Sequence, residues 1–146
     1  MKSISLVIFI VIVFTFSFAL AEDRYEVGYY TTQATLADLN NDGYIDLIQG
    51  HADEDFISVL LNKGDGTFAP QVTYQSDPAT NRVTVADVDN DNYIDLIISH
   101  NESLMLSVFI NKDNGTFKDK VQYDFINTIV SMKAADLNND GWVDLV

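Results

Sequence analysis

The chain has 146 residues and a formal charge of −14, from 22 acids against 8 bases, with no cysteine. That length allows about one domain. The acidity argues against nucleic acid, whose backbone selects clustered Lys and Arg, and the missing cysteines exclude a disulfide staple.

Lys2 gives a short positive start, residues 4–20 form an apolar run rich in Ile, Val and Phe, and Ala19-Leu20-Ala21 is an A-x-A site before the polar Glu22-Asp23-Arg24. Residues 1–21 therefore read as a secretory signal peptide. An uncleaved anchor is the rival, because the run is barely long enough to span a bilayer. The A-x-A site favours cleavage, with no membrane insertion of the mature chain. Both readings place the rest outside the cytosol, secreted or extracellular and including the cell surface.

Residues 22–146 repeat one pattern. Residues 22–30 read as the end strand of a preceding unit, since Tyr25 stands one period before Tyr74 and two before Tyr123. The first full unit is 31–79. It holds a short strand over 34–37, a polar loop, a strand over 44–49, a polar connection, a strand over 56–61, the turn Asn62-Lys63-Gly64-Asp65-Gly66-Thr67, and a strand over 68–74 with Pro70 near its start, where an edge strand tolerates it. The second unit, 80–128, repeats this with strands at 83–86, 96–98 and 105–110. Residues 129–146 are a truncated third unit.

Each unit carries the same nine-residue pattern after its first strand. Asp38-Leu39-Asn40-Asn41-Asp42-Gly43-Tyr44-Ile45-Asp46 returns as Asp87-Val88-Asp89-Asn90-Asp91-Asn92-Tyr93-Ile94-Asp95 and as Asp136-Leu137-Asn138-Asn139-Asp140-Gly141-Trp142-Val143-Asp144, 49 residues apart each time. The pattern D-x-[DN]-x-D-[GN]-x-x-D sets hard oxygen donors at positions 1, 3, 5 and 9. Calcium takes six to eight such oxygens at about 2.3–2.6 Å, whereas magnesium prefers a small octahedral site with several waters. Short side chains at alternate positions converge only if the backbone curls, and Gly at position 6 permits that turn. Asn92 replaces it in the second copy and is among the residues that best tolerate positive φ. Position 7 would offer its carbonyl. A metal-free Asx-rich turn is the plainer reading, but three copies with every donor position kept favour metal. Ten of the 22 acids lie in these loops.

The strand runs are mostly continuous apolar stretches, the pattern of sheets covered on both faces. One four-stranded unit cannot bury both faces alone, and periods of about 40–50 residues with four strands mark propeller blades. The expected fold is all-β: a partial β-propeller of about two and a half four-stranded antiparallel blades. Since propellers need about four to eight blades, the remaining blades are expected in missing sequence.

The loop, followed some fifteen residues later by Leu60-Leu61-Asn62-Lys63-Gly64-Asp65-Gly66-Thr67-Phe68, resembles the FG-GAP and VCBS repeats of integrin α-subunit-like propellers. The Phe-Gly and Gly-Ala-Pro landmarks are not evident. The resemblance implies a calcium-stabilised propeller for extracellular binding or adhesion, with a protein or carbohydrate ligand. It implies calcium ligands at Asp38, Asn40, Asp42 and Asp46; at Asp87, Asp89, Asp91 and Asp95; and at Asp136, Asn138, Asp140 and Asp144, with carbonyls from Tyr44, Tyr93 and Trp142. An alternative is the non-catalytic propeller of a carbohydrate-active enzyme. EF-hand or dockerin loops share half the motif, but an EF-hand needs Glu at position 12 and flanking helices. Here position 12 is Gln49 and Ile98, and the flanks are β-branched.

No catalytic constellation is evident, so the chain is not expected to be an enzyme. His51 and His100 occupy equivalent strand ends and read as inherited polar residues rather than ligands. Alternating strands place the metal loops and Gly-rich turns at one end of each unit. The opposite connections, with Asp53 and Glu102, are expected to meet partners. The sequons at Asn101 and Asn114 are expected to be exposed.

Overall fold

The computed structural model describes residues 31–100, 104–127 and 129–146. The signal peptide, the strand over 22–30 and the residues Asn101 and Glu102 lie outside them. Among the described residues the regular structure is all β, in ten strands: β1 Thr31–Ala37, β2 Asp46–His51, β3 Phe56–Leu60, β4 Val72–Gln75, β5 Thr80–Ala86, β6 Asp95–His100, β7 Met105–Phe109, β8 Val121–Asp124, β9 Ala134–Ala135 and β10 Asp144–Leu145. They form two four-stranded antiparallel sheets, ordered β1-β2-β3-β4 and β5-β6-β7-β8, and the pair β9-β10. No described helix is long and apolar enough to cross a membrane.

The two sheets repeat each other in register. Leu36 faces Leu47 as Val85 faces Leu96, and both first strands carry an irregularity, at Thr31/Gln33 and at Thr80/Arg82. Those first strands run longer than the expected 34–37 and 83–86. The fourth strands are shorter than expected. Phe68 makes one bridge to Asn62, and Phe117 one to Asn111. Ala69 and Lys118 each donate an N–H back to the third-strand exit, to the Leu61 and Ile110 carbonyls. Ladder pairing resumes only at Val72 and Val121. Pro70 cannot be the sole cause, because residues 117–120 contain no proline and behave alike.

The continuous apolar runs are explained by burial on both faces. In β6 all six residues are buried. Leu96 and Ile98 point toward the first sheet and pack with Ile48, Ile57, Val59 and Phe109. Ile97 points the other way and joins Leu106, Val108 and Met132. Period-two alternation thus survives as two different apolar neighbourhoods. Edge-on contacts of Tyr74 with Phe109 and Phe117 close the seam between the sheets. The first strands lie side by side: Thr35 Oγ1 donates to the Val83 carbonyl at 3.0 Å, and its repeat counterpart Thr84 donates to the Met132 carbonyl at 3.3 Å.

Candidate metal centre

The three loops between first and second strands share one conformation, and their carboxylates create it. The position-1 aspartate accepts the position-5 and position-6 N–H groups: Asp42 and Gly43 donate to Asp38 at 3.2 and 2.8 Å, Asp91 and Asn92 to Asp87 at 3.1 and 2.8 Å, and Asp140 and Gly141 to Asp136 at 3.2 and 2.9 Å. The position-5 aspartate accepts the N–H of Tyr44, Tyr93 or Trp142 at 2.8, 2.8 and 2.9 Å. The curl is completed by left-handed backbone at position 6, φ 86° at Gly43, 71° at Asn92 and 88° at Gly141. Asn92 thus takes the conformation that glycine supplies in the other copies.

Position 9 does a different task. Asp46 and Asp95 open β2 and β6 and are fully buried. Their Oδ2 atoms accept the N–H of Leu39 and of Val88, both at 2.9 Å. Their Oδ1 atoms accept the N–H of Asn62 at 2.7 Å and of Asn111 at 2.8 Å. Burial pushes both carboxyls above the usual carboxylate range, the accepted N–H groups oppose this, and the other loop aspartates push the same way as burial. An inbound cation would reverse that bias, because it favours the ionised form.

The loops differ at position 3. In the second, Asp87, Asp89 and Asp95 each bring a carboxylate oxygen within 4.8 Å of the others. In the first and third, an asparagine spans that space: Asn40 donates to Asp42 and Asn138 to Asp140, both at 2.9 Å, while accepting the N–H of the same aspartate. An amide can make that internal bond and a carboxylate cannot. The second loop is left with converging like charges. A pair of unit charges 4 Å apart repels by about 4 kcal/mol near a protein surface. An oxygen-rich, anionic cluster of this kind fits a hard divalent cation.

Two matches to the FG-GAP-like repeat cover residues 38–98 and 87–146. The chain belongs to the FG-GAP-like repeat family. Each FG-GAP-like match opens on a position-1 aspartate, Asp38 or Asp87, so the two matches start one 49-residue period apart. No curated protein matches the chain.

Several residues outside the donor set hold these FG-GAP-like loops. Asn62 and Asn111 start the Gly-rich turns and tie them to the loop exits, with side-chain amides on the Ile45 and Ile94 carbonyls at 2.9 Å. The aspartate-rich loops and the Gly-rich turns therefore share one end of each sheet, as alternation of strands requires. Asn41 and Asn90, at position 4, are left-handed and bridge to the next loop. The sequence signal for them was the asparagine kept at position 4 in all three copies. Tyr44 lies across Gly64 so closely that a Cβ there would stand 2.3 Å from the ring.

At the other end of the sheets lies a second polar cluster. His51 Nε2 meets Ser58 Oγ at 3.1 Å and His100 Nε2 meets Ser107 Oγ at 2.9 Å, all four residues being buried. Asp77 reaches over from the connection between the sheets to Lys120 at 2.9 Å, to Gln122, and to His100 Nε2 at 3.7 Å. At His100 serine and aspartate share one imidazole nitrogen; at His51, Glu54 lies 3.5 Å from Nδ1, the nitrogen opposite Ser58, but Ser58 is fully buried. A nucleophilic triad needs the carboxylate on the opposite nitrogen and the serine open to substrate.

Proposed function

We propose that the chain is a calcium-binding β-propeller repeat module of a secreted or cell-surface protein, serving extracellular binding or adhesion without catalysis. The observation that carries this reading is the convergence of Asp87, Asp89 and Asp95 within 4.8 Å. Asp87, Asp89, Asp91 and Asp95, with the Tyr93 carbonyl, would hold the ion there. Asp38, Asn40, Asp42, Asp46 and the Tyr44 carbonyl would do so in the first loop, and Asp136, Asn138, Asp140, Asp144 and the Trp142 carbonyl in the third. When bound, the ion neutralises crowded carboxylates. The protein's own part is to hold the curl by N–H donation and to seat the position-9 carboxylate at the strand entry. Affinity follows ligand charge, so the second loop, with four aspartates, should bind most tightly.

Further blades complete the module in this reading. A groove of ≈ 510 Å³ on the second sheet is lined by Ile97, Leu106, Val108, Tyr123 and Leu145 among others. One period earlier stand Ile48, Ile57, Val59, Tyr74 and Leu96, which form the packed seam between the two described sheets. The groove suits the same kind of occupant, the second and third strands of another unit, as Ile98 and Phe109 fill the seam between the described sheets. The connection containing Asp53 is the end proposed to meet a protein or carbohydrate ligand.

Isothermal calorimetry with calcium tests the metal reading. Saturable calcium binding is expected, with the tightest site lost in Asp89→Ala. Absence of any binding heat in the folded protein, by calorimetry at two temperatures, would overturn it.

A further inference from the structure

We propose that neighbouring cation loops are energetically coupled, and that Asn41 and Asn111 carry the coupling between the first and second. This rests on the cation reading above. Three hydrogen bonds, linked through Asn111 and Leu39, join the two position-9 carboxylates. The Asn111 N–H donates to Asp95 Oδ1 at 2.8 Å. The Asn111 side-chain amide donates to the Leu39 carbonyl at 2.8 Å, across 72 residues of sequence. The Leu39 N–H donates to Asp46 Oδ2 at 2.9 Å. Asn111 and Leu39 are both fully buried, so water cannot replace either link.

A second bridge runs along the surface. The Asn41 amide donates to the Asn92 carbonyl at 3.1 Å, and Asn90 repeats the bond to the Gly141 carbonyl at 3.1 Å. Each donor is the position-4 residue of one loop, and each acceptor is the position-6 carbonyl of the next. The Gly115 turn seats the second sheet against the first loop, where a Cβ would stand 2.8 Å from Leu61 and 3.4 Å from Asn40.

These contacts give the coupling its physical form. A cation in the second loop fixes Asp95 and the backbone at Asn92. That fixes partners of Leu39 and Asn41 in the first loop. The next cation then has less backbone to order, which raises its affinity without any change of shape. By linkage the effect is equal in both directions.

The test reads the first loop alone. Trp142 is the single tryptophan of the chain, so Tyr44→Trp with Trp142→Phe moves the indole antenna to the first loop. Terbium is titrated and its tryptophan-sensitised luminescence recorded, with and without Asp89→Asn/Asp91→Asn to weaken the second loop. Melting in chelator checks that all variants stay folded. The first-loop affinity is expected to fall roughly fivefold or more when the second loop is weakened. Adding Asn41→Gly, which keeps the left-handed φ, is expected to shrink that difference. Identical first-loop curves would overturn the coupling while leaving the cation reading intact. An undiminished difference with Asn41→Gly would remove Asn41 from the path. No luminescence in the folded reporter would overturn the cation reading, and the coupling with it.

Discussion

Asn111 is the most committed residue in the molecule. It is fully buried, its amide satisfies two carbonyls, its N–H satisfies Asp95, and its Oδ1 accepts the N–H of Gly115 at 3.1 Å. Asn111→Ala strands the buried Leu39 carbonyl, and an unmet buried polar group costs about 1–3 kcal/mol. Its counterpart Asn62 is only partly buried, and its side chain bonds within its own unit, to the Ile45 carbonyl and the Gly64 N–H. Urea unfolding in chelator should therefore show a larger loss for Asn111→Ala, by about 1 kcal/mol or more. Equal losses would deny the reach to Leu39. At this scale the sequence was partly legible. The donors at positions 1, 3, 5 and 9 stood out because acidic oxygens at alternate positions have few other uses. The bridges of Asn41 and Asn111 did not, because their partners lie in a neighbouring unit, and an asparagine kept at position 4 marks a residue without naming its partner. Nor did the burial of Asp46 and Asp95, which makes position 9 a fastener of the strand entry.

The strands were legible in kind and number per unit, because apolar runs between turn residues admit little else. Their ends were less so. The fourth strands start late because the turn closes on itself before releasing the chain at Val72 and Val121. The pairing of both central strands with two apolar neighbourhoods makes the seam between sheets the main store of stability. Phe109, buried against Tyr74, is its centre. Phe109→Ala should cost about 3–5 kcal/mol by urea unfolding, whereas Val121→Ala, on an exposed position, should stay within about 0.5 kcal/mol. The opposite strand ends carry a pH dependence. Burial holds the His51 and His100 imidazoles below their ordinary 6.5 against the pull of Glu54 and Asp77, and Lys120 adds to the depression at His100. The unfolded chain then binds protons that the fold refuses. Their stabilisation is complete above pH 6.5 and is lost as pH falls from there toward the depressed folded values. Wild type should therefore lose more stability across that window than His51→Gln/His100→Gln. Subtracting the two profiles removes the loop carboxylates, and parallel profiles would refute the assignment.

Across the whole molecule, two sheets repeat one plan and a third unit begins it, with loops linked at one end and buried histidines at the other. The repeat, its 49-residue period and the family were legible because three copies of a nine-residue motif agree. The occupant of the groove on the second sheet was not, since the residues lining a groove do not spell out what packs on them. Ten of the 22 acids lie in the three aspartate-rich loops, and a bound cation is the partner proposed for that end. The most direct test is the melting temperature of the folded protein in chelator and in millimolar calcium, with millimolar magnesium alongside. Ligand at a hundred times its dissociation constant adds about 2.7 kcal/mol per site. A clear rise with calcium is expected, larger than with magnesium and diminished by Asp89→Ala. The same melting temperature in chelator as in calcium would contradict it.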